Sequence, residues 1–208
     1  MRANVYVDGF NLYYRCVKDT AYRWLDLATI SRLAFPEHSI HRIRYFTARV
    51  GRRGGDPQKP QRQQVYLRAL ETIPNLSIHY GHFLWKEEEL PLAKPRPEGP
   101  TTATVVMVSE KRSDVNLASY LLTDGFRGEY EAAIVVTNDS DFMESIKLVR
   151  SVLGRPVYIL SPQQEGINRA LRKAATSCKA IDPAWLEASQ LPDTLTDEHG
   201  TITKPKGW

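Results

Sequence analysis

Two short, nearly apolar runs, each ending abruptly in acid, constrain the fold of this 208-residue chain more than any other feature. Val5-Tyr6-Val7 runs into Asp8-Gly9-Phe10-Asn11, and Ala133-Ile134-Val135-Val136-Thr137 runs into Asn138-Asp139-Ser140-Asp141. A strand that is apolar on both faces needs helices on both sides, which is the condition of a mainly parallel sheet. Helix-compatible residues follow each run, so strands and helices alternate. That pattern predicts a three-layer α/β/α, Rossmann-like architecture. Open α/β sheets gather their ligands at the carboxyl ends of their strands. The two acidic tips therefore predict a shared negative cavity, in which like charges oppose one another unless a cation offsets them.

The patterning predicts strands over residues 4–8, 39–50, 76–85, 101–108, 132–137 and 156–160, with a short edge strand at 179–181. It predicts helices over 11–18, 26–34, 61–72, 113–122, 140–153 and 164–175, with one helical turn at 184–188. Asp26 is placed to cap the second of these. Residues 51–60 read as an Arg-, Gly- and Pro-rich loop, and 86–100 as a mobile, Pro-rich excursion. One domain is expected over residues 1–190, with a flexible tail over 191–208.

Lys and Arg number 28 against 24 Asp and Glu, for a formal net charge of +4. That excess is mild, but its distribution is not even. Arg42, Arg44, Arg49, Arg52, Arg53, Lys59, Arg62 and Arg68 crowd into one stretch, and Arg150, Arg155, Arg169, Arg172 and Lys173 form another. A negative cavity set in a basic surface suits a polyanion that needs a metal at its scissile bond. Two cysteines, Cys16 and Cys178, make no disulfide framework and point to reduced thiols. No apolar run reaches the length of a membrane span, and the first residues lack a signal-peptide layout. The expectation is a cytoplasmic protein without a membrane partner. Exposed strand edges and an aromatic-rich middle allow a homodimer.

Asp8, Asp114, Asp139 and Asp141, joined by Asn11, are the candidate chemical residues. Each aspartate has a purely structural alternative as a helix cap, and Asn11 has one as a surface amide in the first helical turn. Two acids flanking Ser140 exceed what one cap needs, and the case for Asp114 rests on the other three. Hard oxygen donors without a His or Cys cluster suit Mg²⁺ or Mn²⁺ rather than zinc. The five histidines, His38, His41, His79, His82 and His199, lack zinc-ligand spacing. A divalent ion held by carboxylates activates water and offsets charge on a phosphate, which fits phosphodiester hydrolysis.

Val5 to Tyr13 resembles the opening motif of the NYN domains, a branch of the PIN-like nucleases. Glu110-Lys111-Arg112-Ser113-Asp114-Val115-Asn116-Leu117-Ala118 resembles their middle motif, and Val136-Thr137-Asn138-Asp139-Ser140-Asp141-Phe142 their third. Order and spacing are similar across residues 4–160, with the bacterial LabA-like proteins nearest in pattern. Asn138 departs from a commoner Gly, and Arg112-Ser113 from a Gly-Val-type pair. The resemblance implies a PIN-like fold and a metal-dependent endoribonuclease whose acidic site is Asp8, Asp114, Asp139 and Asp141, supported by Asn11. Single-stranded RNA would then be the partner. Arg49, Arg52, Arg53, Lys59, Arg62 and Lys111 would hold its backbone, and Tyr13, Tyr14, Phe83 or Trp85 would stack on its bases.

Two rival readings stand beside this one. The first is an RNA-binding or regulatory module that kept the fold without turnover. The second is another metal-dependent phosphate enzyme. The paired acids Asp139 and Asp141 resemble those of topoisomerase-primase domains, although the first-strand acid here is Asp8 rather than a glutamate. Phe10 occupies the position where haloacid-dehalogenase-type phosphatases need a second Asp. No Gly-rich phosphate loop and no dinucleotide fingerprint follows the first strand.

Overall fold

In the computed structural model, which describes residues 1–51, 56–95, 97–163 and 166–208, the apolar runs lie side by side at the centre of a parallel sheet. The strands are β1 (Arg2–Asp8), β2 (Ser39–Thr47), β3 (Leu76–Tyr80), β6 (Ala132–Val136), β7 (Val157–Ser161) and β8 (Ser177–Ala180), in the order β3-β2-β1-β6-β7-β8. All five pairings are parallel. The chain builds outward from β1 through β2 to β3, then returns to the other side of β1 to lay down β6. The reversal opens a crevice between the carboxyl ends of β1 and β6, where open α/β folds bind ligands.

Alternation along the strands feeds two cores. Val5, Val7, Ile134 and Val136 face a layer built from α2 (Leu27–Ala34), α3 (Lys59–Glu71) and α7 (Pro183–Ala188). Tyr6, Ala133, Val135 and Ile159 face the opposite layer of α4 (Ser113–Phe126), α5 (Met143–Ser151) and α6 (Arg169–Ala174). Every residue of β6 is buried. The sandwich expected from the apolar runs is therefore the one observed. Asp26 caps α2 by accepting from the backbone N–H groups of Ala28 and Thr29 at 2.8 and 3.1 Å.

The structure departs from the sequence expectation in four places. The helix expected over 11–18 is a single α-turn, α1 (Gly9–Leu12), followed by a π-turn over Tyr13–Val17. The strand expected over 76–85 breaks at Gly81, because the chain turns there to begin β4 (His82–Pro91). A Cβ at Gly81 would lie 2.1 Å from a carboxylate oxygen of Glu110 and 2.4 Å from the carbonyl of Lys111, so the turn demands glycine. The excursion expected over 86–100 is partly strand. β4 pairs antiparallel with β5 (Thr102–Lys111) in a ten-residue register that forms its own two-stranded ladder. Acidic side chains from Glu87 to Glu89 hid this strand from composition.

The tail expected to be flexible folds instead. β9 (Thr194–Asp197) and β10 (Gly200–Thr203) form a hairpin clasped to α3, where Arg68 Nε donates to Asp197 at 2.6 Å. Ile202 is buried, and the Trp208 ring packs against Trp24 and Tyr66. The segment is largely exposed, and it is held by the Asp197 ion pair and by the apolar contacts of Ile202 and Trp208. Among the described residues, no helix is long and apolar enough to cross a membrane.

The basic stretch is also divided by the fold. Arg44 is drawn inward and forms a two-pronged ion pair with buried Asp124 at 2.7 and 2.9 Å, while the Tyr6 hydroxyl donates to the same carboxylate at 2.8 Å. The guanidinium carbon lies 4.4 Å from the Tyr120 ring centre. Arg42 pairs with Glu129 and Arg68 with Asp197. These three arginines stabilise the fold rather than offering charge to a ligand. Removing one partner of a buried pair strands the other. Asp124→Ala is therefore expected to cost about 3–5 kcal/mol in urea unfolding, and a double Arg44→Met, Asp124→Leu replacement far less.

Candidate metal-dependent active site

The sequence ends β1 in Asp8 at the point where α1 begins, so one side chain must serve both elements. Its Oδ1 accepts from the backbone N–H of Asn11 at 3.0 Å, capping α1. Its Oδ2 accepts from the Thr137 hydroxyl at 3.0 Å, across the crevice to the end of β6. The Thr137 oxygen in turn accepts from the backbone N–H of Asp139 at 3.1 Å. Thr137 thus joins the two acidic tips through one hydroxyl. The side chain of Asn11 makes a second tie, its Oδ1 accepting from the backbone N–H of Asn138 at 2.9 Å.

Asp139 caps the short 3₁₀ turn Ser140–Phe142 by accepting from the backbone N–H of Asp141 at 3.0 Å. Asp114 lies in the first turn of α4. Glu110, near the end of β5, binds the start of that helix by accepting from the Ser113 hydroxyl at 2.5 Å and its backbone N–H at 3.2 Å. Arg112, between them, adopts φ 84°, a left-handed conformation that favours glycine. This is where the sequence departs from a Gly-Val-type pair.

Asp8, Asn11, Glu110, Asp114 and Asp139 line one open cavity of about 360 Å³, walled by Phe10, Tyr14 and Phe83. Asp141 does not line it, although its charge is felt by Asp114. The fold therefore brings three of the four predicted aspartates to one cavity, adds Glu110, and leaves Asp141 at its margin. Burial first, and then the charges of Asp114 and Asp139, push the Asp8 carboxyl up to about 6 against the lowering effect of the hydrogen bonds from Asn11 and Thr137. Asp114 is exposed as a whole residue, yet partial burial of its carboxyl lifts it above the ordinary range, followed by Glu110, Asp139 and Asp141.

The donor set is all oxygen, which suits Mg²⁺ or Mn²⁺. Among the described residues, no three His, Cys, Asp or Glu side chains stand in an arrangement that would grip one ion by themselves. Magnesium commonly keeps several waters and takes only one or two carboxylates plus substrate phosphate. An open cavity in which Asp8 and Asp114 resist ionisation fits an ion held in that way.

Of the residues expected to hold a polyanion backbone, Arg52 and Arg53 lie outside the described residues. Arg49 sits 4.9 Å from the ring centre of Tyr80, in a groove with His82, Phe83 and Trp85. Lys111 ends β5, opposite His82. Lys59 and Arg62 line a different, aromatic cavity on the far side of Phe10 and Tyr14. Phe10 joins the two regions, since its ring meets Phe83 edge-on at 5.6 Å and lies nearly parallel to Tyr14 at 6.5 Å. Sequence reasoning missed Phe10 and Thr137. The one hydroxyl closing an aliphatic run was the available signal for Thr137. It also left without a role Lys147, Arg169 and Lys173, which line an open groove with Met143 beside the acidic tip of β6.

The sequence profile of the NYN domain matches residues 2–182. The chain belongs to the NYN domain family. That family is part of the PIN-like superfamily, and the α/β/α sandwich agrees with it. This NYN domain is 29% identical to 6-hydroxy-3-succinoylpyridine 3-monooxygenase HspA of Pseudomonas putida, over all of this chain and 75% of that protein. It also superposes on the crystal structure of a protein of unknown function from Vibrio parahaemolyticus, with a TM-score of 0.53, 18% identity, and coverage of 88% of this chain and 93% of the other. That likeness shows the shared fold alone.

Because the folded Asp8 pKa of about 6 lies above the usual value of 3.8, the native state holds its proton more tightly than the unfolded chain. The linked stability is present below pH 3.8 and is lost as pH rises through about 6. In metal-free buffer at pH 8, Asp8→Asn is expected to raise stability by roughly 2–3 kcal/mol. The gain should vanish toward pH 4. Thermal melts across that range check it.

Proposed function

We propose that this NYN domain is a divalent-metal-dependent endoribonuclease acting at the acidic cavity. The observation that carries the reading is the meeting of Asp8, Asp114 and Asp139 around one open cavity at the β1–β6 crevice. Asp8, Asp114 and Asp139 would hold Mg²⁺ or Mn²⁺, with Asp141 at the margin. When bound, the ion lowers the pKa of water and offsets charge on phosphate. Asp8, raised to about 6 in the metal-free site, would be shifted to its charged form by the ion it helps to hold. Asn11 has its oxygen committed to Asn138, which leaves its Nδ2 to orient the phosphate. Phe10, Tyr14 and Phe83 wall one side of the cavity and would limit water there, and Phe83 continues to the Arg49 groove, where a phosphate backbone and unpaired bases would rest. The reading places the enzyme in the cytoplasm with RNA as partner, and allows a homodimer.

Asp139→Asn keeps the oxygen that caps the 3₁₀ turn while removing a charge, so it separates chemistry from folding. With labelled single-stranded RNA and Mn²⁺, wild type is expected to cleave. Asp8→Asn and Asp139→Asn should lose at least about 100-fold, the scale of one lost catalytic group. Equal cleavage by all three proteins would end the proposal.

A second reading is small-molecule oxygenation. It is favoured by the likeness to the named monooxygenase, which extends over the whole of this chain. Oxygen uptake with 6-hydroxy-3-succinoylpyridine and a two-electron reductant, absent without the pyridine, is the expected result under this reading. RNA cleavage that tracks Asp139, without such uptake, excludes it.

A further inference from the structure

A second cavity backs onto the acidic one, sharing only Phe10 and Tyr14 with it. Its volume is about 70 Å³, several times the roughly 10–15 Å³ that a single water occupies on this measure. Buried Tyr45 and Tyr66 lie in its lining, together with Trp208 from the C-terminal segment. The Tyr66 hydroxyl is spent on the carbonyl of Leu25 at 2.9 Å. Gly9 keeps the space open on the β1 side, since a Cβ there would sit 2.7 Å from the Tyr45 ring.

The charged side chains that line this cavity are of one sign. Arg23, Lys59 and Arg62 line it, and among the described residues no Asp or Glu side chain does. Asp56, just outside the lining, takes up Arg62. Arg23 donates to the carbonyls of Thr20 and Gly207, which fix its position without cancelling its charge. Lys59 opens α3. Aromatic faces and edges favour a flat π-system over a branched aliphatic group, and uncancelled cations favour an anion. The acidic cavity has the opposite chemistry on the other side of the same two rings.

We propose that this cavity binds a single planar aromatic ring carrying an anionic group, with the ring among Tyr14, Tyr45 and Tyr66 and the anion toward Lys59 and Arg23. The ring comes either from a free aromatic acid or from a nucleotide. The inference does not rest on RNA hydrolysis at the acidic cavity and is tested without it. In buffer containing EDTA, titration calorimetry and tryptophan fluorescence, which reports on Trp208 and Trp24, are read for nicotinate, nicotinamide and uridine 5′-monophosphate. Saturable binding of nicotinate or the nucleotide is expected in the range of roughly 1 mM or tighter. The uncharged nicotinamide should bind at least about tenfold more weakly than nicotinate, and Lys59→Gln and Lys59→Glu should weaken the anion by a similar factor or more. Nicotinate binding alone identifies a free aromatic acid as the source, and nucleotide binding alone identifies a nucleotide. Circular dichroism confirms that each variant is folded, and the gentler Lys59→Gln keeps the test open should the charge reversal unfold the chain. No saturable binding by either anion, equal binding of nicotinate and nicotinamide, or indifference to both Lys59 variants would overturn the proposal.

Discussion

The site depends on the parallel pairing of β1 with β6, which sets Val7 opposite Val136 and brings Asp8 within reach of Thr137. A carboxylate only 6% exposed is unfavourable unless its oxygens are met. Here a backbone N–H from its own helix and a hydroxyl from the neighbouring strand meet them. Those two bonds hold down the charge that burial and the adjacent acids oppose. The site is built near an electrostatic balance, where one added cation changes the outcome.

A contrasting solution lies two residues earlier on the same strand. Tyr6, next to Val7, directs its hydroxyl to Asp124, whose charge is matched by Arg44. His79 packs against that guanidinium, and its imidazole is held down to about 4 by burial and the nearby cation. One buried aspartate is thus neutralised within the protein, and the other is not. Matching charge in the core and leaving it unmatched at a strand tip is a physical distinction between structure and function that motif comparison alone does not provide.

Much of the fold was legible because β1 and β6 are apolar on both faces, and only helices on both sides satisfy such strands. Asp8 and Asp139 were legible for the same reason, since both sit where a buried strand must stop. The rest depended on long-range partners. The C-terminal hairpin reads as a polar tail until Arg68 supplies the charge that pairs with Asp197. The β4 strand reads as a loop because three glutamates follow one another in a ladder exposed along both strands. Arg42 and Arg44 look like ligand contacts until Glu129 and Asp124 arrive from distant sequence. The place of Glu110 at the cavity required Gly81, a residue whose role is to be absent as a side chain.

The hydroxyl that fastens the cavity belongs to a residue 129 positions away from the carboxylate it binds. Pairings of such separation are late events, because a long loop must close before they yield anything. A polypeptide emerging from the ribosome presents Asp8 well before the helix that carries Asp114, and before Thr137 and Asp139. The connectivity of the sheet thus delays assembly of the cavity until β6 has been made and laid beside β1.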